Sequence, residues 1–137
     1  DGGAGNDRLY ARDGNDTLIG GAGDDYLYSA HGTALIVAGI GDDTVLTQNG
    51  DDTIQFMADD AFSFSSTTVR QFGIYEGNVI VMFEDAILDF DAMVANNLRD
   101  DNGSAQIFDA NFEITLEGIS VAELSNPANG WEDHFIF

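Results

Sequence analysis

The chain has 137 residues, 44% of them hydrophobic, enough to bury a core and too many for a globally disordered chain. It sets 25 Asp and Glu against 4 Lys and Arg, a formal net charge of −21, and it has no cysteine. This excludes the basic footprint of a nucleic-acid binder, attraction to an anionic membrane surface, disulfides and thiolate metal sites. The longest apolar run, Ala34 to Ile40, is far too short for membrane insertion.

Glycine divides the chain. Residues 1–55 hold 11 of the 16 glycines and 56–137 hold the other 5, which points to two structural regimes. The first is a nine-residue repeat, with units at 2–10, 11–19, 20–28, 29–37, 38–46 and 47–55. The fourth place is always glycine: Gly5, Gly14, Gly23, Gly32, Gly41 and Gly50. The sixth is aspartate in five units, Asp7, Asp16, Asp25, Asp43 and Asp52, with Ala34 as the exception. The eighth is always aliphatic: Leu9, Leu18, Leu27, Ile36, Val45 and Ile54.

Nine residues are too few for a helix and its return, but suffice for a turn and a short strand. Alternation along the strand sends the eighth-place side chain inward and its neighbours outward. Glycine at the fourth place permits backbone angles that a Cβ forbids. Two units make one coil with a turn on each side, and coils stack at the parallel-strand spacing of roughly 4.8 Å. The expected fold is all-β: a parallel β-roll over 1–55, followed by a mainly β capping region over 56–137.

Stacking places Asp7, Asp25 and Asp43 along one side, and Asp16, Ala34 and Asp52 along the other. Two such carboxylates ~5 Å apart repel by roughly 3 kcal/mol at an effective dielectric of 20. A cation between successive turns converts that repulsion into attraction. Carboxylate and backbone carbonyl oxygens without cysteine are hard-ligand chemistry, which favours Ca2+.

The strings GGAGND, GGAGDD and AGIGDD, each followed by x-aliphatic-x, resemble the nonapeptide repeats of RTX proteins. The resemblance implies a parallel β-roll with calcium between turns two repeats apart. It also implies secretion from a Gram-negative bacterium by the type I machinery. Units one, three and five keep the pattern, whereas two, four and six are eroded by Arg12, Asp13, Thr33 and Ala34. Calcium is therefore expected chiefly beside Asp7, Asp25 and Asp43. The turn residues Gly2, Ala4, Gly5, Gly20, Ala22, Gly23, Ala38, Ile40 and Gly41 belong to these sites, with Asp24 and Asp42 as helpers. Asp16 and Asp52 are expected as half-sites or vestiges. A seventh turn at 58–64 offers Asp60 as a partner for Asp43.

Beyond the repeats, 72–75 and 78–83 read as strands around a Glu76-Gly77 hairpin turn. Residues 91–95 read as the start of a short helix, and 99–104 as a solvated loop. Residues 106–108 and 112–116 read as a second hairpin. Ser120 to Glu123 has capping-box spacing and predicts a helical turn ended before Pro127. Residues 133–137 form an apolar tail. This ending is similar to those of serralysin-type proteases and other type I substrates, which implies an uncleaved secretion signal in the terminal stretch.

No catalytic constellation is visible. The only histidines are His31 and His134, and neither lies in an H-E-x-x-H sequence; no G-x-S-x-G elbow, EF-hand loop or P-loop occurs. The expectation is a non-catalytic module of a larger secreted protein, with any catalytic domain upstream. The alternative is a polysaccharide-binding accessory resembling the R-modules of alginate epimerases. The scarcity of arginine argues against a polyanionic glycan; neutral glycans remain, with Tyr10, Tyr26, Tyr28 and Trp131 as stacking faces. An ice-binding threonine ladder is disfavoured, because Arg8, Tyr26 and Leu35 interrupt Thr17, Thr44 and Thr53.

Overall fold

The computed structural model describes residues 1–56, 65–72, 78–82, 90–108 and 112–136. Strands dominate: β1 (Gly3–Ala4), β2 (Arg8–Ala11), β3 (Asn15–Ala22), β4 (Tyr26–Ile40), β5 (Asp42–Gly50), β6 (Thr53–Phe56), β7 (Ser65–Arg70), β8 (Val79–Met82), β9 (Leu98–Asp101), β10 (Ser104–Phe108), β11 (Phe112–Glu117) and β12 (Phe135–Ile136). Two short helices, α1 (Phe90–Asn96) and α2 (Val121–Leu124), follow the repeats. The fold is the parallel β-roll that the period predicts. Arg8 lies opposite Tyr26, Tyr26 opposite Thr44, Leu18 opposite Ile36 and Leu35 opposite Thr53, so every pair joins equivalent places two repeat units apart. The long strand β4 bends through a turn and serves both sheets, pairing β3 and β6 with its second half and β2 and β5 with its first.

The eighth-place aliphatics form two inward columns. Leu9, Leu27 and Val45 stack in register and continue into Val69 and Leu116. Leu18, Ile36 and Ile54 continue into Ile80 and Phe135. All but Leu9, which packs against the core from its edge, are buried. Each such side chain contributes roughly 1.5–3 kcal/mol on burial, so the columns hold the two sheets together from within.

Parallel pairing continues beyond residue 55, and there the coil lengthens. Asp42 faces Ser66 and Thr53 faces Val79, both separations longer than two repeat units. β11 then adds to β7, and β12 to β8, both parallel. The antiparallel pair β10–β11 matches the expected hairpin of 106–108 with 112–116. Residues 99–104 are not a loop, however: β9 pairs antiparallel with β10 across Asn102-Gly103. Both turn residues have positive φ, +52° and +87°, which is the hairpin turn that Asn-Gly favours. The short polar run masks that signal in the sequence. The Glu76-Gly77 turn and the turn at 58–64 lie outside the described residues; β8 itself pairs in parallel with β6 and β12.

The capping box is present. The Ser120 hydroxyl accepts from the Glu123 N–H, the Glu123 carboxylate accepts from the Ser120 N–H, and α2 ends before Pro127. The apolar tail contains the short strand β12, whose Phe135 is buried. Trp131 is only 6% exposed and stacks on Phe72 at 6.1 Å, so it belongs to the core and is no glycan platform.

Candidate metal centres along the turn edges

The coils turn at two edges. The first edge comprises turns 2–7, 20–25 and 38–43; the second comprises 11–16, 29–34 and 47–52. At both edges the fourth-place glycine sits at φ between +105° and +138°, where an L side chain is strained. At Gly23 a Cβ would also come within 2.5 Å of the Gly5 carbonyl. The edges differ at the second place. On the first edge Gly3, Gly21 and Gly39 also have positive φ; on the second edge Arg12, Ala30 and Gln48 do not.

On the first edge the sixth-place aspartates form a ladder. The Asp7 N–H donates to Oδ1 of Asp25 at 2.8 Å, and the Asp25 N–H donates to Oδ1 of Asp43 at 2.9 Å. Their Oδ2 atoms, on Asp7, Asp25 and Asp43 alike, are buried and have no hydrogen-bond partner. Those of Asp7 and Asp25 face small cradles. A Cβ on Gly2 would meet the Gly20 carbonyl at 2.6 Å and Asp7 Oδ2 at 2.7 Å. A Cβ on Gly20 would meet Asp25 Oδ2 at 2.5 Å and the Ala38 carbonyl closer still. Each cradle therefore joins a carboxylate oxygen to a carbonyl from the next coil, at a point that only glycine leaves open. Among the described residues no three His, Cys, Asp or Glu side chains converge, so carbonyls must supply the balance of any donor set. Hard oxygens of this kind suit Ca2+.

Burial first, and then the charges of Asp25, Asp24 and Asp42, raise the Asp43 carboxyl to about 6, against the lowering effect of the Asp25 N–H. A cation beside it removes that penalty. Asp24 and Asp42 stand outside the cradles and are exposed. Asp24 Oδ1 accepts from the Asp42 N–H at 3.1 Å, and the Asp24 N–H donates to Asn6 Oδ1 at 3.1 Å. They bridge the coils along the surface.

The second edge is stitched differently. Its first places are Ala11, Ser29 and Thr47, all buried, where the first edge has Gly2, Gly20 and Ala38. Asp52 Oδ1 accepts both the Ala34 N–H at 2.8 Å and the Ser29 hydroxyl at 3.1 Å. The Asp52 N–H donates to Asn78 Oδ1 at 2.9 Å, and Asn78 Nδ2 lies 3.5 Å from the Thr47 hydroxyl. Burial raises the Asp52 carboxyl, opposed by these donors. Its Oδ2 is also unpartnered, whereas Asp16 is half-buried at the start of this edge.

Two residues of the edges escaped the sequence reading. Thr67 faces Asp43 in the next coil, and Asn78 follows Asp52. Both are buried, and the Thr67 hydroxyl is unpartnered. The surviving signal is a polar residue two places before a buried aliphatic, Thr67 before Val69 and Asn78 before Ile80. His31 is exposed, 3.9 Å from Asp13.

The fold and these oxygen-lined edges define a calcium-binding repeat module of the β-roll class. Residues 1–33 and 32–60 match the RTX calcium-binding nonapeptide repeat (4 copies), so residues 1–60 are an array of RTX repeats, which bind Ca2+. No curated protein matches the chain in sequence. Proteins with such repeats are typically secreted, and no helix among the described residues is long and apolar enough to cross a membrane.

Proposed function

We propose that this chain is a calcium-triggered folding module of a larger secreted bacterial protein, exported by the type I machinery and itself non-catalytic. The observation that carries the reading is the set of buried, unpartnered Oδ2 atoms facing glycine cradles. In calcium-poor cytosol, carboxylate repulsion keeps the repeats unfolded and fit for a narrow channel. Outside, calcium binds only the folded state and drives folding. Extracellular modules work at dissociation constants of about 10⁻⁴–10⁻³ M. Ions reside chiefly on the first edge, where Asp7, Asp25 and Asp43 meet Gly2, Gly20 and Ala38. The second edge, with Asp16 and Asp52, holds fewer because Ser29 and Thr47 fill two of its first places.

The test is circular dichroism during calcium titration with magnesium as the control. Strand signal should appear with calcium and vanish with chelator. A chain fully ordered in EDTA would refute the reading. Export is tested separately: deleting residues 112–137 should abolish secretion of a fused passenger through a type I channel.

A further inference from the structure

We infer that the outer face of the sheet that runs β2-β4-β5-β7-β11-β10-β9, centred on Tyr10, Tyr26 and Tyr28, binds a neutral polysaccharide. The face stands out by its charge. Alternation from the inward Leu9 and Ala11 turns Arg8, Tyr10 and Arg12 outward, all three exposed. Arg70 and Arg99 follow on β7 and β9 of the same sheet, so all four arginines of the chain lie on it or, for Arg12, directly after its strand β2. Arg70 pairs with Glu117, and Arg99 with Glu113, whereas Arg8 and Arg12 make no ion pair among the described residues. Between β2 and β7 the outward seventh and ninth places hold no carboxylate at all, in a chain with 25 acids.

The rings form one cluster, Tyr10 tilted 50° against Tyr26 and edge-on to Tyr28 at 70°, so that each offers its own face. Tyr10 is 59% exposed, and its ring centroid lies 6.2 Å from that of Tyr26 and 6.0 Å from that of Tyr28. Tyr28 donates its hydroxyl to Gln48, which leads into a groove of about 420 Å³ between Leu46, Arg70 and Glu117. Gln71, at the groove wall, has φ +58°, an uncommon angle for a residue with a side chain. Flat rings stack on the C–H faces of sugars, while guanidinium and amide groups bond hydroxyls. Charge selects the occupant. A net −21 repels a polyanion, a polycation is drawn to the acidic turn edges, and this acid-poor face fits an uncharged hydroxylated chain.

The inference goes beyond the calcium reading but needs the folded roll. The test is native electrophoresis of the whole chain in saturating calcium, through gels holding laminarin, dextran or hydroxyethylcellulose, with polygalacturonate as the polyanion. At least one neutral polymer should retard the chain. Tyr10→Ala should weaken that retardation about tenfold while leaving the calcium-induced strand signal unchanged. A Tyr10→Ala/Tyr28→Ala double variant should abolish it; if the double variant fails to fold, the single change at exposed Tyr10 decides. Retardation by none of the neutral polymers, by polygalacturonate alone, or equally for Tyr10→Ala overturns the inference. So does a dimer in sedimentation that Tyr10→Ala dissolves, which would give the face to a second copy. A chain that folds with calcium and binds no glycan sinks this inference alone. One already ordered in EDTA sinks the calcium reading alone.

Discussion

The two turn edges solve one problem with different chemistry. Both stack polar groups at the coil spacing, and both give one aspartate oxygen a backbone N–H from the neighbouring coil. The first edge leaves the other oxygen facing a glycine cradle. The second puts Ser29 and Thr47 where that cradle would be, and substitutes Ala34 and Asn78 for carboxylates. The lesson concerns the glycine pair. A fourth-place glycine lets the chain turn, while Gly2 and Gly20 at the first place let a carboxylate oxygen and a carbonyl of the next coil close on one point.

The largest expected effect is that of stripping calcium. Hydrogen exchange at limiting calcium should expose the amides of Asp7 and Asp25 before those of Ala34 and Asp52, whose acceptors need no metal. Equal exchange at both edges would end the distinction. Acidity is the next lever. The Asp43 carboxyl rises to about 6 from an ordinary 3.8, so between these values the folded chain holds more protons than the unfolded one. Metal-free stability should therefore increase as pH falls from 7 to 4, by roughly 2 kcal/mol if Asp43 acts alone. Calcium affinity should weaken over the same range, because protons compete for the site. Strand signal in EDTA at pH 7 and pH 4.5 checks the sign, with more expected at the lower pH, and Asp43→Asn should flatten the dependence.

Gly20→Ala should cost about 1–3 kcal/mol and lower the calcium stoichiometry measured by titration calorimetry, since its methyl enters the cradle. Ala30→Gly, on the other edge, should leave the stoichiometry unchanged. Likewise Asp25→Ala should weaken calcium-induced folding more than Asp52→Ala. Ser29→Ala is the smallest of the series: removing one donor to Asp52 should cost about 1 kcal/mol, read from urea melts, with calcium binding intact.

Much of this was legible in the residues. The fourth-place glycines and eighth-place aliphatics specify coil length, hand-over between sheets and core columns, because a period of nine admits little else. The first-edge aspartates were legible for the same reason. What escaped was the continuation. The later coils are longer and unequal, with no period to detect, so Thr67 and Asn78 carry the edges onward without a repeat to announce them. Asn102-Gly103 was written in plain view, but the charged residues around it lack the alternating apolar pattern that marks a strand. Asp24 and Asp42 show the limit of reading by residue type. The same acid points into a cradle at one place and into solvent one residue earlier.

The antiparallel strand β9 has a consequence for crowding. It ends the strand order of its sheet among the described residues, and presents Arg99, Asp100 and Asp101, all exposed, along that border. A flat parallel border would invite another molecule to zip on and extend the sheet indefinitely. A short charged strand running the opposite way offers a poor template, and matching acids on two approaching copies repel. Crowded copies of the chain are thereby steered away from fibre growth at that border.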